Sequence, residues 1–283
     1  TDLLVGPYYA GHDVELATFA LGHEMPVFFP FRPRSTQQIA GNAFVALPFP
    51  DDTAWAEETA ILLTAVFGRM QVLVMQSDAT PLSRRTQMLA DRLKRKGARL
   101  KMLPIDATPA QIAEALSRKR TANLVVAAAT DHDVVRNLAS KLTAVTEMHL
   151  PARLAVVAHP EWAANIPESD DVWSGVETLI PTIGFSMLYA RDLGMLTDIY
   201  HHWFHTAPYG EPPADFFMGY DMGLYIFTGL SNHGRGFIEK RPKYKGKYMD
   251  FNMKRENNTS CWSNHALRLL HKKVDGTMDV VSF

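Results

Sequence analysis

The residues best placed to do chemistry sit just past the ends of short apolar runs. Tyr8 and Tyr9 follow the run Leu3-Leu4-Val5-Gly6-Pro7, and Phe31-Arg32-Pro33-Arg34-Ser35 follows Pro26-Val27-Phe28-Phe29-Pro30. An aromatic ring in such a place can stack on a small molecule while its hydroxyl orients it, or it can pack against the neighbouring loop. Arg32 or Arg34 can clamp a carboxylate with two parallel hydrogen bonds, or lie solvated, and Ser35 can cap the next helix. Further along, Asp78 and Thr80, then Thr130, Asp131 and His132, then His159, Glu161 and Trp162 follow later apolar runs. Asp78 or Glu161 can hold an ammonium group, with Trp162 shielding it. Against that, Asp131 is a good helix N-cap and Asp78 can close a turn.

Other constellations carry less. His201 and His205 have the i, i+4 spacing that a metal can use, but no HExxH and no completing carboxylate accompanies them, and Tyr200, Trp203 and Phe204 read as packing. The run Lys240, Arg241, Lys243, Lys245 and Lys247, with Tyr244 and Tyr248 between, reads as a solvated edge strand before it reads as a phosphate contact. There is no GxSxG, P-loop or GxGxxG, and Gly234-Arg235-Gly236 lacks the third glycine. No metal or cofactor is expected.

The elements that must position these groups alternate. Asp13 to Gly22 reads as a helix, Val27 to Phe31 and Phe44 to Leu47 as strands, and Thr53 to Phe67 as a helix capped by Asp51 or Asp52 and stopped by Gly68. Val72 to Met75 is a buried strand and Leu82 to Lys96 a helix closed by Gly97. Leu100 to Ile105 is a strand. Thr108-Pro109-Ala110-Gln111 is a capping box that opens the next helix. Strands at Leu124 to Ala129 and Leu154 to Val157 flank a helix capped by Asp131, and Val176 to Ile180 is a strand. Helices follow over Asp192 to His205 and Phe216 to Leu230. The tail reads as strands over Tyr244 to Phe251 and Ala266 to Val281, with Asp275-Gly276 as a hairpin turn. Run, helix, run is how a parallel sheet is written, and open α/β sheets bind ligands at their carboxyl edge.

Composition sets limits. The 283 residues, 47% hydrophobic and 21% charged, describe a globular chain long enough for two domains. A net charge of −1 supplies no basic field for nucleic acid. No apolar run reaches the roughly 18 residues that a transmembrane helix needs. A lone Cys261 excludes an internal disulfide and a multi-cysteine zinc site. No signal peptide is legible.

In order and spacing, Val5-Gly6-Pro7, Met25 to Pro30, Phe44 to Pro48 with Asp51-Asp52, Gln71 to Asp78 and Gly219-Tyr220-Asp221-Met222 resemble the type I periplasmic-binding-protein fold, in the branched-chain amino-acid receptor (extracellular ligand-binding receptor) group. The resemblance implies two Rossmann-like parallel-sheet lobes joined by a multi-crossing hinge: residues 1–68 with about 207–240, and residues 70–206 with about 241–283. The family has strand–helix units ahead of the Gly-Pro strand, so the first lobe is expected to be incomplete, with a bare sheet edge at residues 3–7. The family often carries paired serines after Gly-Pro. Tyr9 and Ala10 stand there instead, which counts against an amino-acid carboxylate held in the usual way.

The expected function is non-catalytic binding of a small polar solute in an inter-lobe cleft by Tyr8, Tyr9, Phe31, Arg32, Asp78, Thr130, Asp131, His159, Glu161 and Trp162. The resemblance implies a periplasmic or cell-envelope location and a membrane transporter, or a cell-wall-binding module, as partner. The alternatives are a cell-wall-associated sensing module, an enzyme using Asp78, His159 or Glu161 as acid or base, and an interaction module with a vestigial cleft.

Overall fold

The computed structural model describes residues 2–9, 11–34, 36–79, 81–128, 131–159, 162, 172–184, 191–209, 214–240 and 243–282. In chain order it shows β1 (Leu4–Val5), α1 (Asp13–Gly22), β2 (Val27–Phe28), α2 (Thr36–Ile39), β3 (Val45–Leu47) and α3 (Asp52–Phe67). Then come β4 (Met70–Gln76), α4 (Arg84–Arg95), β5 (Arg99–Pro104), α5 (Pro109–Ala115), β6 (Ala122–Ala127), α6 (His132–Glu147), β7 (Leu154–Val157) and β8 (Glu177–Thr182). The last third holds α7 (Arg191–Phe204), α8 (Ala214–His233), α9 (Phe237–Lys240) and β9 (Met253–Lys254), then β10 (Trp262–Asn264), β11 (Arg268–Lys272) and β12 (Met278–Val281).

Local chemistry sets many of these bounds. The Asp51 carboxylate accepts the Ala54 N–H at 2.7 Å and so caps α3, and Gly68, at φ +61, ends it where a side chain would be strained. Ser83 accepts the Thr86 N–H at 3.2 Å at the start of α4. The Thr108 N–H donates to the Gln111 side-chain oxygen at 2.8 Å and the Gln111 N–H to the Thr108 hydroxyl at 3.3 Å, the reciprocal capping box that opens α5.

Two compact units result. Unit 1 is Thr1–Ala54 with Ile183–Ala266, and unit 2 is Trp55–Thr182 with Leu267–Phe283, so the chain passes from one to the other three times. Unit 1 holds a sheet of order β1-β2-β3-β10-β9, in which the first four strands are parallel and β9 is antiparallel. Its strands alternate strictly. Val27, Phe29, Val45 and Leu47 pack with Ala17 and Ala20 of α1, whereas Phe28 and Ala46 pack with Met222, Tyr225 and Ile226 of α8. A strand buried on both faces is the expected state of a parallel sheet covered by helices. β1 and β9 are its two outer strands.

Unit 2 holds a sheet of order β12-β11-β8-β7-β6-β4-β5. β4 through β8 pair in parallel, and the hairpin β11–β12 adds antiparallel strands beyond β8. Leu73, Met75, Val125, Ala127 and Val156 pack under α5 and α6 through Ile112, Leu138 and Leu142. β5, at the far edge, leaves Arg99, Lys101, Met102 and Pro104 exposed, as an edge strand does.

The division differs from the expected boundaries at 68, 206 and 240. From Trp55 on, α3 is bound to α4: Glu57 pairs with Arg92 and Lys96 at 3.2 Å each, and the Arg85 guanidinium lies 5.4 Å from the Trp55 ring. α7 joins unit 1 because Leu196 packs with Phe217, and the Tyr200 and Phe216 rings meet at 4.8 Å. Residues 243–266 join unit 1 through β9 and β10. The strand expected over Tyr244 to Phe251 is reduced to bridges, Tyr244 to Phe251 and Met249 to Gly184, because the intervening amides bond to a buried carboxylate of α8.

Candidate functional site

Parallel pairing brings the carboxyl ends of β1, β2 and β3 to one edge of the unit 1 sheet. The N–H of Gly6 still donates to Phe28 at 3.0 Å, so the chain leaves the sheet only after Gly6 and Pro7. It then presents Tyr8 and Tyr9, which are 71% and 76% exposed. Phe31, 53% exposed, does the same beyond β2, and its ring meets Tyr8 edge-on with centroids 6.2 Å apart and planes at 66°. The Arg32 guanidinium lies 5.5 Å from the centroid of Phe49, the ring that follows β3. Three consecutive strand ends thus carry a shelf of rings, Tyr8, Phe31 and Phe49, with the Arg32 guanidinium against the last of them. Tyr9 stands beside His12 at 6.3 Å, and the His12 N–H donates to the Tyr9 carbonyl at 3.1 Å.

One residue that secures this shelf escaped the sequence reading. Asp13, in the first turn of α1 and only 4% exposed, accepts the Arg34 N–H at 2.7 Å. It pins the loop that carries Phe31 and Arg32 to the helix that follows Tyr9. An acidic residue in a first helical turn reads locally as a partner of the helix dipole; that it selects an amide 21 positions away is a tertiary fact.

In unit 2 the corresponding edge lies beyond β4, β6 and β7. Asp78 is exposed past β4. Asp131, past β6, accepts the N–H groups of Asp133 and Val134 at 3.0 and 3.2 Å, so its carboxylate already serves as the N-cap of α6. His159, past β7, is 9% exposed, and its Nε2 lies 3.5 Å from Ser83 Oγ at the start of α4. Trp162 is 3% exposed and stacks on Trp173 at 4.8 Å within the core cluster, so its ring packs against protein rather than facing solvent. Thr130 and Glu161, like Thr80 and Ser35, lie outside the described residues. Tyr8 and Phe31 are therefore brought into contact, Arg32 lies against Phe49 at the next strand end, Tyr9 stands beside His12, and His159 is coupled to the cap of α4.

No group of three histidine, cysteine, aspartate or glutamate side chains among the described residues could hold a metal ion. The Cys261 thiol is pushed up to about 11, first by burial and then by the nearby Asp51 carboxylate, which leaves little thiolate at neutral pH. Among the described residues no helix is long and apolar enough to cross a membrane.

No protein-family model and no curated protein matches the chain. Solved structures do match in fold. A protein from Rhodospirillum rubrum provisionally assigned as a branched-chain amino acid ABC transporter aligns at a TM-score of 0.61 and 13% identity, over 99% of this chain and 80% of that one. An ABC transporter substrate-binding protein from Desulfitobacterium hafniense in complex with Leu aligns at 0.54 and 11% identity, over 99% and 80% of the two chains. Full-length LpoA from Haemophilus influenzae aligns at 0.56 and 16% identity over 100% of this chain and 48% of that one, so this chain spans about half its length. With two helix-covered, mainly parallel sheets and three crossings between them, the chain has the type I periplasmic-binding-protein fold.

Proposed function

We propose that this protein binds a small polar solute without converting it. The observation that carries the reading is the shelf at the carboxyl edge of the unit 1 sheet, where Tyr8 and Phe31 hold their rings out to solvent at the place where open α/β sheets take their ligands. On this reading Tyr8, Tyr9, Phe31 and Arg32 are the candidate contacts at the strand ends of unit 1, and Asp78, Thr130, Asp131, His159, Glu161 and Trp162 are the candidates at the strand ends of unit 2. Trp162 contributes through the packing beneath the strand end, since its ring is buried.

The neighbours of like fold support this reading, because one of them holds Leu and is named as a substrate-binding protein. On this reading the protein acts in the periplasm or cell envelope and delivers its solute to a membrane transporter. A thermal-shift screen of amino acids, short peptides, sugars and cell-wall fragments tests it. A ligand that binds only the folded state raises the melting temperature with its concentration over its dissociation constant, and no product forms. Turnover of any stabilising compound, or no stabilisation across the screen, overturns it.

A further inference from the structure

Resting on that reading, we infer that the preferred solute is a ring-bearing carboxylate. An isolated exposed aromatic residue is ordinary, but here Tyr8, Tyr9 and Phe31, all more than half exposed, gather at the ends of two adjacent parallel strands. Tyr8 and Phe31 meet at 66°, so the two rings are not stacked face to face and consumed by each other. A flat ligand, whether an aryl group or the C–H face of a pyranose, gains from such rings what a branched aliphatic chain does not: an offset-stacked or edge-to-face contact with the ring quadrupole beyond plain area burial.

The charge preference comes from Arg32. Its guanidinium sits against Phe49, within the same three-strand shelf, and carries a positive charge at any physiological pH. The backbone of its loop is tied to α1 by the Asp13–Arg34 bond, and Arg32 directly follows Phe31 in that loop. A ring and a carboxylate on one small molecule match a ring shelf with one adjoining cation. The aryl and sugar acids share this chemistry and are separated by the probes.

The test measures equilibrium binding of phenylacetate, L-phenylalanine and D-glucuronate to the full chain, with L-leucine, phenylacetamide and glucose as controls. The expected result is that at least one ring acid binds about tenfold or more tightly than L-leucine. Tyr8→Ala and Phe31→Ala each weaken it about two- to tenfold, the measured range for aromatic pairs. Both side chains are exposed, so the melting temperature of the free protein stays put. Arg32→Gln reduces the preference of the ring acid over its neutral counterpart. Equal or tighter binding of L-leucine, or ring-acid affinities that ignore both ring deletions, overturns the inferred class while leaving solute binding intact. Silence across these probes and the wider screen removes solute binding itself, and this inference with it.

Discussion

The carboxylate of Asp221, wholly buried in α8, accepts the backbone N–H of Tyr248 at 2.7 Å. It also accepts those of Lys247 and Met249 at 3.0 and 2.9 Å, so one side chain accepts from three successive amides. The turn before them has no room for a side chain: a Cβ on Gly246 would stand 2.0 Å from the Met249 carbonyl and 2.7 Å from the Asp221 carboxyl carbon. This contact fastens the segment 244–251 to α8. Phe251 then stacks on Tyr225 at 4.3 Å, and Tyr225 packs against Phe28 of β2.

Asp221→Asn keeps the shape but replaces one acceptor oxygen by a donor that faces N–H groups. The expected loss is about 3 kcal/mol, since charge-assisted bonds contribute about 1.5 to 3 kcal/mol and a buried amide left unpaired adds its own penalty. Gly246→Ala is expected to act on the same turn with a comparable loss. Urea denaturation midpoints of the two variants check both, and unchanged midpoints would remove Asp221 as the fastening.

In unit 2, Glu177 stands between the Arg153 guanidinium and the His271 imidazole. Arg153 donates to it from Nε at 2.9 Å and again from its terminal amino group, and His271 of β11 contacts the same carboxylate. The carboxylate hydrogen bond, opposed by burial, holds the Arg153 guanidinium above its ordinary range. Arg153 also lies 4.6 Å from the Phe67 ring, which in turn meets His271 edge-on at 6.0 Å. Glu177→Ala leaves the buried imidazole and the guanidinium without their carboxylate, and the expected cost is about 3 kcal/mol. Replacing Glu177 and His271 together by apolar residues of similar volume is expected to cost less than Glu177→Ala alone. Thermal melting of the two variants checks the order, and the reverse order would make the ion cluster a net source of stability.

Cys261 offers a pH-dependent readout. Burial raises its thiol from an ordinary 9.0 to about 11, so the folded state disfavours the thiolate. The native protein should therefore react with iodoacetamide at pH 8 roughly 100-fold more slowly than the unfolded chain, and the rate should climb until the pH nears 11. The sign for stability follows. A group raised in the folded state lends stability below its unfolded value and withdraws it as the pH rises through the folded one, so alkaline titration should destabilise wild type more than Cys261→Ala. Alkylation at pH 8 at the unfolded rate would refute the shielded thiol.

What the sequence disclosed and what it withheld divide along the range of the interactions. The capping box at Thr108, the Asp131 cap and the Gly68 and Gly97 stops are set within a few residues of themselves, and they were legible. The alternation at Val27, Phe28 and Phe29 was legible as a buried parallel strand for the same reason. The limits of the two units were not, because they depend on Glu57 finding Arg92 and Lys96, and on Tyr200 finding Phe216. At the site, Tyr8 and Phe31 could be named as candidates from their places after apolar runs. Their meeting at 6.2 Å depends on β1 pairing with β2, and the burial of Trp162 depends on Trp173.

Asp13 gives the most direct test of how the ring shelf is held. Its carboxylate is buried, and its bond to the Arg34 amide joins α1 to the loop bearing Phe31 and Arg32. Asp13→Asn retains a carbonyl oxygen that can still accept that amide, though without the charge; Asp13→Ala retains nothing. The Arg34 amide is therefore expected to lose most of its hydrogen-exchange protection in Asp13→Ala and to keep part of it in Asp13→Asn, while amides of β6 in unit 2 stay protected in both. Stability should fall by about 2 kcal/mol in the alanine variant, the scale of one buried charge-assisted bond with its donor left unpaired. If the shelf needs this anchor to bind its solute, affinity falls in the same order, alanine below asparagine below wild type, under conditions where all three are fully folded. Exchange at Arg34 that is fast in the wild type, or equal in all three proteins, would mean that the loop is held by something other than Asp13.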